Sequence, residues 1–237
     1  MGLLGAALGT ILLPSLARHH AERSARAYSE LLDWGLRLTF LLATPAAVAL
    51  ALLAVPLVTT LFQYGAFGVE DVYATRRAVV AYSVGLVGLV MVKVLAPGFY
   101  AIQDIKTPVK IALVTLGLTQ LMNFAFILPF RHAGLALAIG LGACINAALL
   151  LRGLRRRDIY APQPGWPVFL FKLAIAVYAM AAVLWIATGS DATWLVMGGA
   201  ARAAYLVWVV LLGAATYFAA LWLLGFRIAD FSRRAAE

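Results

Sequence analysis

Charged residues are scarce in this sequence. Asp, Glu, Lys and Arg together make up 12% of its 237 residues, whereas a soluble domain carries roughly 25%. Hydrophobic residues make up 64%, and the mean hydropathy is +0.94. A chain of this composition has too little polar surface to cover a soluble fold, so we predict a membrane protein.

The residues that build catalytic and metal centres are also few. Cys144 is the single cysteine, which excludes a disulfide within the chain. The three histidines, His19, His20 and His132, do not have the spacing of a metal site. The sequence also has no glycine-rich phosphate loop and no pair of carboxylates inside an apolar run. We therefore expect neither an enzyme nor a bound metal or cofactor.

Acidic residues are outnumbered by basic ones. Nineteen Lys and Arg residues face ten Asp and Glu residues, which gives a net charge of +9. A chain this apolar offers no basic surface interleaved with aromatic residues, so nucleic acid is not expected as a partner. Attraction to the anionic lipids of the inner leaflet accounts better for the excess. Membrane lipid is the predicted partner.

Long apolar runs dominate what is present. Seven of them follow one another along the chain: Gly2–Ala17, Leu36–Phe62, Ala78–Leu95, Val109–Leu128, Ala133–Leu151, Val168–Ala187 and Ala203–Leu224. They predict an all-α, polytopic membrane helix bundle of about seven transmembrane helices. The first run would span only about 24 Å of a core of about 30 Å, and no positive region of a signal peptide precedes it. We therefore expect a truncated first segment with further helices upstream.

The stretch between the first and second runs allows more than one interpretation. Arg18–Asp33 mixes both signs of charge with a thin apolar stripe, so it is either a short interfacial helix or an ordinary solvated connector. Pro45 and Pro56 lie inside the second run and indicate a kink there.

The basic residues predict the orientation in the membrane. If successive loops alternate sides, four basic residues lie on one side: Arg76, Arg77, Arg131 and Arg202. The other side holds fifteen: Arg18, Arg23, Arg26, Arg37, Lys93, Lys106, Lys110, Arg152, Arg155, Arg156, Arg157, Lys172, Arg227, Arg233 and Arg234. The positive-inside rule places the richer side in the cytoplasm. We expect a multi-pass membrane protein whose C-terminus is cytoplasmic.

Two polar or small-residue stripes mark the middle of the chain. Thr115, Thr119 and Asn123 recur every four residues on one face of the fourth run. Gly134, Ala138, Gly142 and Asn146 form a similar stripe on the fifth run, where small residues allow close helix packing. Hydrogen bonds across helices are the expected use of the Thr and Asn side chains. Thr119, Asn123 and Asn146 are also candidate polar or ion contacts.

Lys93 is the most unusual charged residue because it lies inside an apolar run. A lysine at the centre of a membrane helix costs about 2.5–3.5 kcal/mol, so such residues usually face a bundle interior or a watery cavity. On a straight helix Tyr82 and Lys93 share a face, while Arg77 points about 160° away from Lys93; a bend near Gly85 could reconcile them. The alternative is that Lys93 snorkels to the lipid head groups.

The segment that follows Lys93 predicts the end of one helix and the start of the next. Pro97 and Gly98 are expected to break the helix. Thr107 is then expected to cap a new helix with Pro108 at its first position.

Several motifs together resemble a known family. They include LGTILLPSLARHHA, LFQYGAFG, VKVLAPGFYA, QDIKTPVKI, HAGLALAIGL and PQPGW. In this order and spacing they are similar to the C-terminal half of the MurJ/MviN family of lipid II flippases. The resemblance implies the fold shared by multidrug, oligosaccharidyl-lipid and polysaccharide exporters, in which two lobes rock about a central cavity.

The resemblance also implies a division of the chain and a function. Residues 1–157 would be second-lobe helices, five segments with the first truncated. Residues 158–237 would be two extra C-terminal helices and a cytoplasmic tail. The family moves lipid II, an undecaprenyl-pyrophosphate-linked peptidoglycan precursor, to the outer leaflet, and cationic cavity residues are thought to receive its pyrophosphate.

Under this resemblance the candidate cavity residues are Lys93, Arg77 and Tyr82, and the chain would need an N-terminal lobe that it lacks. Two other functions remain open from the sequence. One is export of another lipid-linked saccharide. The other is a membrane scaffold or receptor-like bundle that transports nothing.

Overall fold

The computed structural model describes residues 2–22, 24–130 and 132–226, with side chains from Leu12 onwards. These residues form ten helices: α1 Gly2–Ala21, α2 Ala25–Leu52, α3 Ala54–Phe62, α4 Val69–Val84, α5 Leu86–Tyr100, α6 Lys106–Phe130, α7 His132–Arg156, α8 Trp166–Thr188, α9 Asp191–Val196 and α10 Gly199–Leu223. The described part contains no strand. The all-α prediction is therefore confirmed.

Within the described residues, six helical stretches are long and apolar enough to cross a membrane: Ala25–Leu52, Val69–Tyr100, Lys106–Phe130, His132–Arg156, Trp166–Thr188 and Gly199–Leu223. α1 adds a seventh long helix of 20 residues, or about 30 Å at 1.5 Å per residue. These seven stretches follow the order of the seven predicted runs. The expectation of a polytopic bundle of about seven helices is confirmed.

The prediction of a separate interfacial helix at Arg18–Asp33 is wrong. α1 continues to Ala21, and α2 begins at Ala25, where the Ser24 hydroxyl caps it by accepting from the Ala27 N–H at 3.4 Å. The apolar stripe predicted to lie on a membrane surface faces the interior instead. Most residues between Tyr28 and Leu36 are buried in the protein core.

Helix breaks occur at Leu53 and Gly85 but not at Pro97. The first break fits Pro56, because a proline ring clashes with the carbonyl four residues earlier, here that of Leu52. The second lies at Gly85, between α4 and α5. The predicted break at Pro97 and Gly98 is wrong, since α5 continues to Tyr100. The buried hydroxyl of Tyr28 donates to the Gly98 carbonyl at 2.6 Å and holds this turn in place.

α7 is the helix on which its neighbours pack most closely. A Cβ at Gly85 would lie 2.0 Å from the Gly140 Cα, and one at Gly88 would lie 2.7 Å from the Cys144 Cα. On the α6 side, a Cβ at Gly142 would lie 2.2 Å from the Thr119 hydroxyl oxygen. The predicted close packing of the small-residue stripe is confirmed.

α6 and α8–α10 occupy the flanks of the bundle. α6 packs mainly on α7 and leaves large apolar side chains such as Leu121, Phe124 and Leu128 exposed. α8 and α10 bury their shared face against each other, with Leu184 lying over Gly213. The Tyr217 hydroxyl joins this pair to α2 by donating to the Leu41 carbonyl at 2.6 Å.

Three contacts bring together the helix ends that carry most of the basic residues, at one end of the bundle that we call the basic end. They join the turn between α1 and α2, the loop 101–105 and the linker 157–165. Tyr28 bonds to Gly98, the Ser29 hydroxyl bonds to Ala161 at 3.0 Å, and Arg157 pairs with Asp104. The loops predicted to share a side therefore do so. Which side of the membrane they occupy stays a prediction.

Candidate functional site

Lys93 lies on α5, seven residues before the end of the helix at Tyr100. At 1.5 Å per residue this places it about 10 Å inside the basic end. Its side chain is exposed in this structure, while its neighbours Val94 and Leu95 are fully buried. Lys93 therefore projects from a packed helix onto an open face.

Tyr82 and Arg77 lie on α4, beyond the break at Gly85. Both are exposed, but five residues separate them, which corresponds to about 140° around a helix. The two side chains thus leave α4 in different directions. The structure does not bring Arg77 and Tyr82 together on one face. The orientation of Lys93 relative to each depends on the break at Gly85.

The predicted polar stripe lies where α6 and α7 meet, but its threonines are bonded within α6. Thr115 donates to the Ile111 carbonyl and Thr119 to the Thr115 carbonyl, each at 2.8 Å. The expectation that these hydroxyls bond across helices is wrong, because each reaches a carbonyl of its own helix four residues earlier. The Asn123 amide donates to the Gln120 side chain at 3.1 Å.

Two acceptors at this interface remain without a partner among the described residues. They are the side-chain oxygens of Asn123 and Asn146, both buried. Gly134 packs on Phe126 and Gly142 on Thr119, and the same antiparallel register sets Asn146 opposite Thr115. Buried carbonyl oxygens of this kind can accept a hydrogen bond or contact a cation.

A buried carboxylate that the sequence did not single out is the best-bonded charge in the structure. Asp33 is fully buried. One oxygen accepts from the Tyr160 hydroxyl at 2.8 Å, the Trp166 indole at 2.7 Å and the Gln163 N–H at 3.1 Å. The other accepts from Arg37 at 2.7 Å. Burial and the bond to this carboxylate raise the pKa of Tyr160 above its usual range.

Arg37 extends the same cluster across the start of α8. It donates to the Pro164 carbonyl at 2.9 Å, and its guanidinium lies over the rings of Trp166 and Phe169, 5.2 and 5.6 Å from their centroids. Asp33, Arg37, Tyr160 and Trp166 therefore fasten the linker and α8 to α2. We call these four residues the Asp33 junction. Its sequence signal was an acid and a base four residues apart, which resembles an ordinary surface pair.

Asp104 starts α6 in place of the predicted Thr107. Its carboxylate accepts from the Thr107 N–H at 3.0 Å and pairs with Arg157. Pro108 lies at the third helical position, not the first. Hydrogen bonds from Thr107 and then Arg157 lower the pKa of Asp104 to about 2. The prediction of a Thr107 cap is wrong because the earlier Asp104 reaches the same amide.

At the opposite end, Arg202 is another buried charge that sequence reasoning missed. It donates to the Thr59 carbonyl at 3.1 Å and the Leu195 carbonyl at 3.0 Å. These bonds tie α10 to α3 and to α9. Arg202 therefore helps to hold these three helices together.

The fold and these residues define a class of protein. The described residues form a polytopic helix bundle that exposes a cation within a membrane helix, and they contain no cluster of residues that could hold a metal. An ionisable residue at such a position is typical of a pathway for a charged substrate. The class is a polytopic α-helical membrane protein.

Comparison with known proteins identifies the family. The family described as "Lipid II flippase MurJ" matches residues 1–205. The lipid II flippase MurJ of Burkholderia cenocepacia is 51% identical over 98% of this chain, and the probable lipid II flippase MurJ of Haemophilus influenzae is 41% identical over 96%. The chain belongs to the MurJ family, and it is a multi-pass protein of the inner membrane. A transporter family agrees with the expectation that the chain is not an enzyme.

A solved structure shows the same fold. It is that of "Lipid II flippase MurJ, inward closed conformation", with a TM-score of 0.69, 20% identity and a match that covers 93% of this chain and 44% of that one. The chain also covers 45% of the Burkholderia protein and 46% of the Haemophilus protein. It thus spans about half the length of the relatives that it matches.

Proposed function

We propose that the chain forms part of a lipid II flippase, which moves the undecaprenyl-linked peptidoglycan precursor from the cytoplasmic to the periplasmic leaflet by alternating access. The observation that carries this proposal is the family match over residues 1–205. The two relatives and the solved structure described above carry the lipid II description. None favours another lipid-linked saccharide or a scaffold without transport.

The proposed flippase needs a further lobe. The chain covers 45% of the Burkholderia relative, and we propose that residues 1–157 form the second lobe and residues 158–237 two C-terminal helices with a cytoplasmic tail. The exposed faces of α4 and α6 leave room for a further lobe, because the described part places no helix over them. An N-terminal lobe is the expected partner.

Lys93 is the proposed contact for the pyrophosphate of the substrate. Its ammonium can approach a phosphate from an exposed face, and a charge-assisted hydrogen bond is about twice as strong as a neutral one. Tyr82 and Arg77 are proposed as further cavity residues, with Arg77 on a different face of α4. The proposed contact depends on the positive charge of Lys93, so an arginine at this position should preserve function better than an uncharged residue.

Thr119, Asn123 and Asn146 are proposed as secondary polar or ion contacts. The two asparagine oxygens support this role because they are buried and have no partner among the described residues. Thr119 contributes less, since its hydroxyl already bonds to Thr115.

Complementation tests the proposed function. A bacterium depleted of its flippase should receive this chain alone, and this chain fused behind the first half of the Burkholderia relative. We expect growth, and lipid II exposed on the outer leaflet, only with the fusion. Accumulation of both proteins in the membrane is the control. A well-expressed fusion that leaves lipid II on the inner leaflet would overturn the proposal.

A further inference from the structure

Three arginines at the end of α7 form a basic groove. Arg152, Arg155 and Arg156 are spaced so that they lie on one face of the helix, and all three are exposed. Together with Ala148, Leu149 and Leu151 they line a groove of about 650 Å³. We call these six residues the arginine groove.

The other described arginines at the basic end already have carboxylate partners. The recorded pairs are Arg18–Glu22, Arg26–Glu30, Arg37–Asp33 and Arg157–Asp104. The arginines of the groove, Arg152, Arg155 and Arg156, form no ion pair with any residue that the structure describes. Three like charges held close together repel one another, so an anion that binds between them is favoured.

The chemistry of the groove changes along the helix axis. α7 has 25 residues, or about 37 Å, which exceeds a hydrocarbon core of about 30 Å. Its last turn therefore lies at the level of the lipid head groups. In the apolar wall, Ala148 lies one turn deeper than Arg152 and Leu151 one turn deeper than Arg155, towards the acyl chains.

This order matches an anionic phospholipid. Its phosphate would meet guanidinium groups, which bind phosphate with paired hydrogen bonds, and its acyl chain would follow the apolar wall. A free anion would not contact the apolar wall, and a neutral lipid would not interact favourably with three positive charges. We propose that the arginine groove is a binding site for one anionic phospholipid of the surrounding leaflet. The site is separate from Lys93 and does not depend on the proposed function.

The first test separates this site from general attraction of a basic surface to anionic lipid. The full chain, purified in a neutral detergent, is titrated with phosphatidylglycerol, phosphatidylcholine or glycerol phosphate, and bound lipid is counted by native mass spectrometry. The variant is Arg152→Gln with Arg156→Gln. Its matched control is Arg18→Gln with Arg26→Gln, which removes two exposed arginines from the same end.

We expect phosphatidylglycerol to bind at least about tenfold more weakly to the Arg152/Arg156 variant, and within about twofold of wild type to the control. Equal loss in both variants would mean diffuse attraction and would overturn the proposal. Equal binding of phosphatidylcholine, or of glycerol phosphate, would overturn it as well, because the site would then not need a charged lipid.

A second test fills the groove and leaves its charge unchanged. Ala148→Trp places a ring on the apolar wall, and the exposed position should tolerate it. The matched control is Ile139→Trp, at an exposed position elsewhere on α7. We expect Ala148→Trp alone to weaken phosphatidylglycerol binding several-fold, with thermal unfolding of both variants unchanged. Wild-type binding by Ala148→Trp would show that no acyl chain lies in the groove.

Discussion

The Asp33 junction and the face that carries Lys93 put charged residues in membrane helices to different uses. Asp33 is fully buried and accepts four hydrogen bonds, three of them from residues about 130 positions later in the chain. Lys93 is exposed on α5. One charge is enclosed by distant parts of the same chain, and the other faces outward, where a substrate or another lobe can reach it.

The difference shows how to separate structural from functional charges in a bundle of this kind. A buried ion that is fully bonded fixes the relative position of helices, and removing one partner costs far more than the pair contributes. An exposed ion contributes little to stability. We propose that Lys93 lies inside an apolar helix because it contacts the substrate. The following predictions test this distinction.

Asp33→Ala should be the most destabilising change. It leaves the donors of Tyr160, Trp166 and Gln163 without an acceptor and Arg37 without its counter-charge, so we expect a loss of about 3–5 kcal/mol in the free energy of unfolding. Unfolding in mixed micelles, followed by tryptophan fluorescence, measures it. Glu30→Gln is the control, because its pair with Arg26 is exposed, and it should cost less than about 1 kcal/mol. Similar losses of unfolding free energy in the two variants would show that the buried Asp33 junction and an exposed ion pair contribute equally to stability.

The sequence predicted the helices well and the Asp33 junction not at all. Runs of apolar residues identify membrane helices because the bilayer requires them. The partners of Asp33 lie about 130 residues away, and no local pattern reveals a contact of that range. The same limit explains the error at Pro97, where the hydroxyl of the distant Tyr28 bonds to this turn. The error at Thr107 is local, because Asp104 three residues earlier accepts from the Thr107 N–H.

The candidate site was predictable only in part. The presence of Lys93 in an apolar run marked it as unusual, and the structure shows that it is exposed. Its direction relative to Tyr82 and Arg77 could not be fixed from the sequence, because it depends on the geometry of the break at Gly85, where Gly140 approaches closely. That contact joins helices that are more than 50 residues apart.

Lys93→Ala should affect activity and leave stability unchanged. Loss of a charge-assisted contact of about 1.5–3 kcal/mol corresponds to roughly a 10- to 150-fold loss of transport. Lys93→Arg should retain part of the activity because charge is kept. Growth and exposed lipid II, measured in the two-lobe fusion, report the effect, and Lys110→Ala on α6 is the control. Normal growth of a well-expressed Lys93→Ala fusion would support the snorkelling alternative.

Gly85→Ala tests how tightly α4 is packed against α7. The new Cβ would lie 2.0 Å from the Gly140 Cα, so α4 and α7 must separate, at a cost of about 1–3 kcal/mol in unfolding free energy. Gly117→Ala is the matched control on α6, where nothing lies within 4 Å of the new methyl group. It should stabilise the helix by about 0.5–1 kcal/mol. Equal unfolding of the two variants would mean that α4 is not clamped against α7.

Asp104 is the intermediate case, a charge at the basic end that is partly exposed and paired with Arg157. Its pKa is about 2 in the folded chain, below the ordinary value of 3.8. A lowered pKa stabilises the fold above the unfolded-state value, and this stabilisation is lost as the pH falls from about 4 towards 2. Asp104→Asn should therefore cost about 0.2–1 kcal/mol at pH 7 and progressively less below pH 4. Unfolding at several pH values measures the difference.

Because hydrogen bonds from Thr107 are the larger cause of the lowered pKa, Thr107→Val should raise the pKa of Asp104 more than Arg157→Gln does. The reverse order would show that the ion pair, as in the Asp33 junction, is what holds the charge.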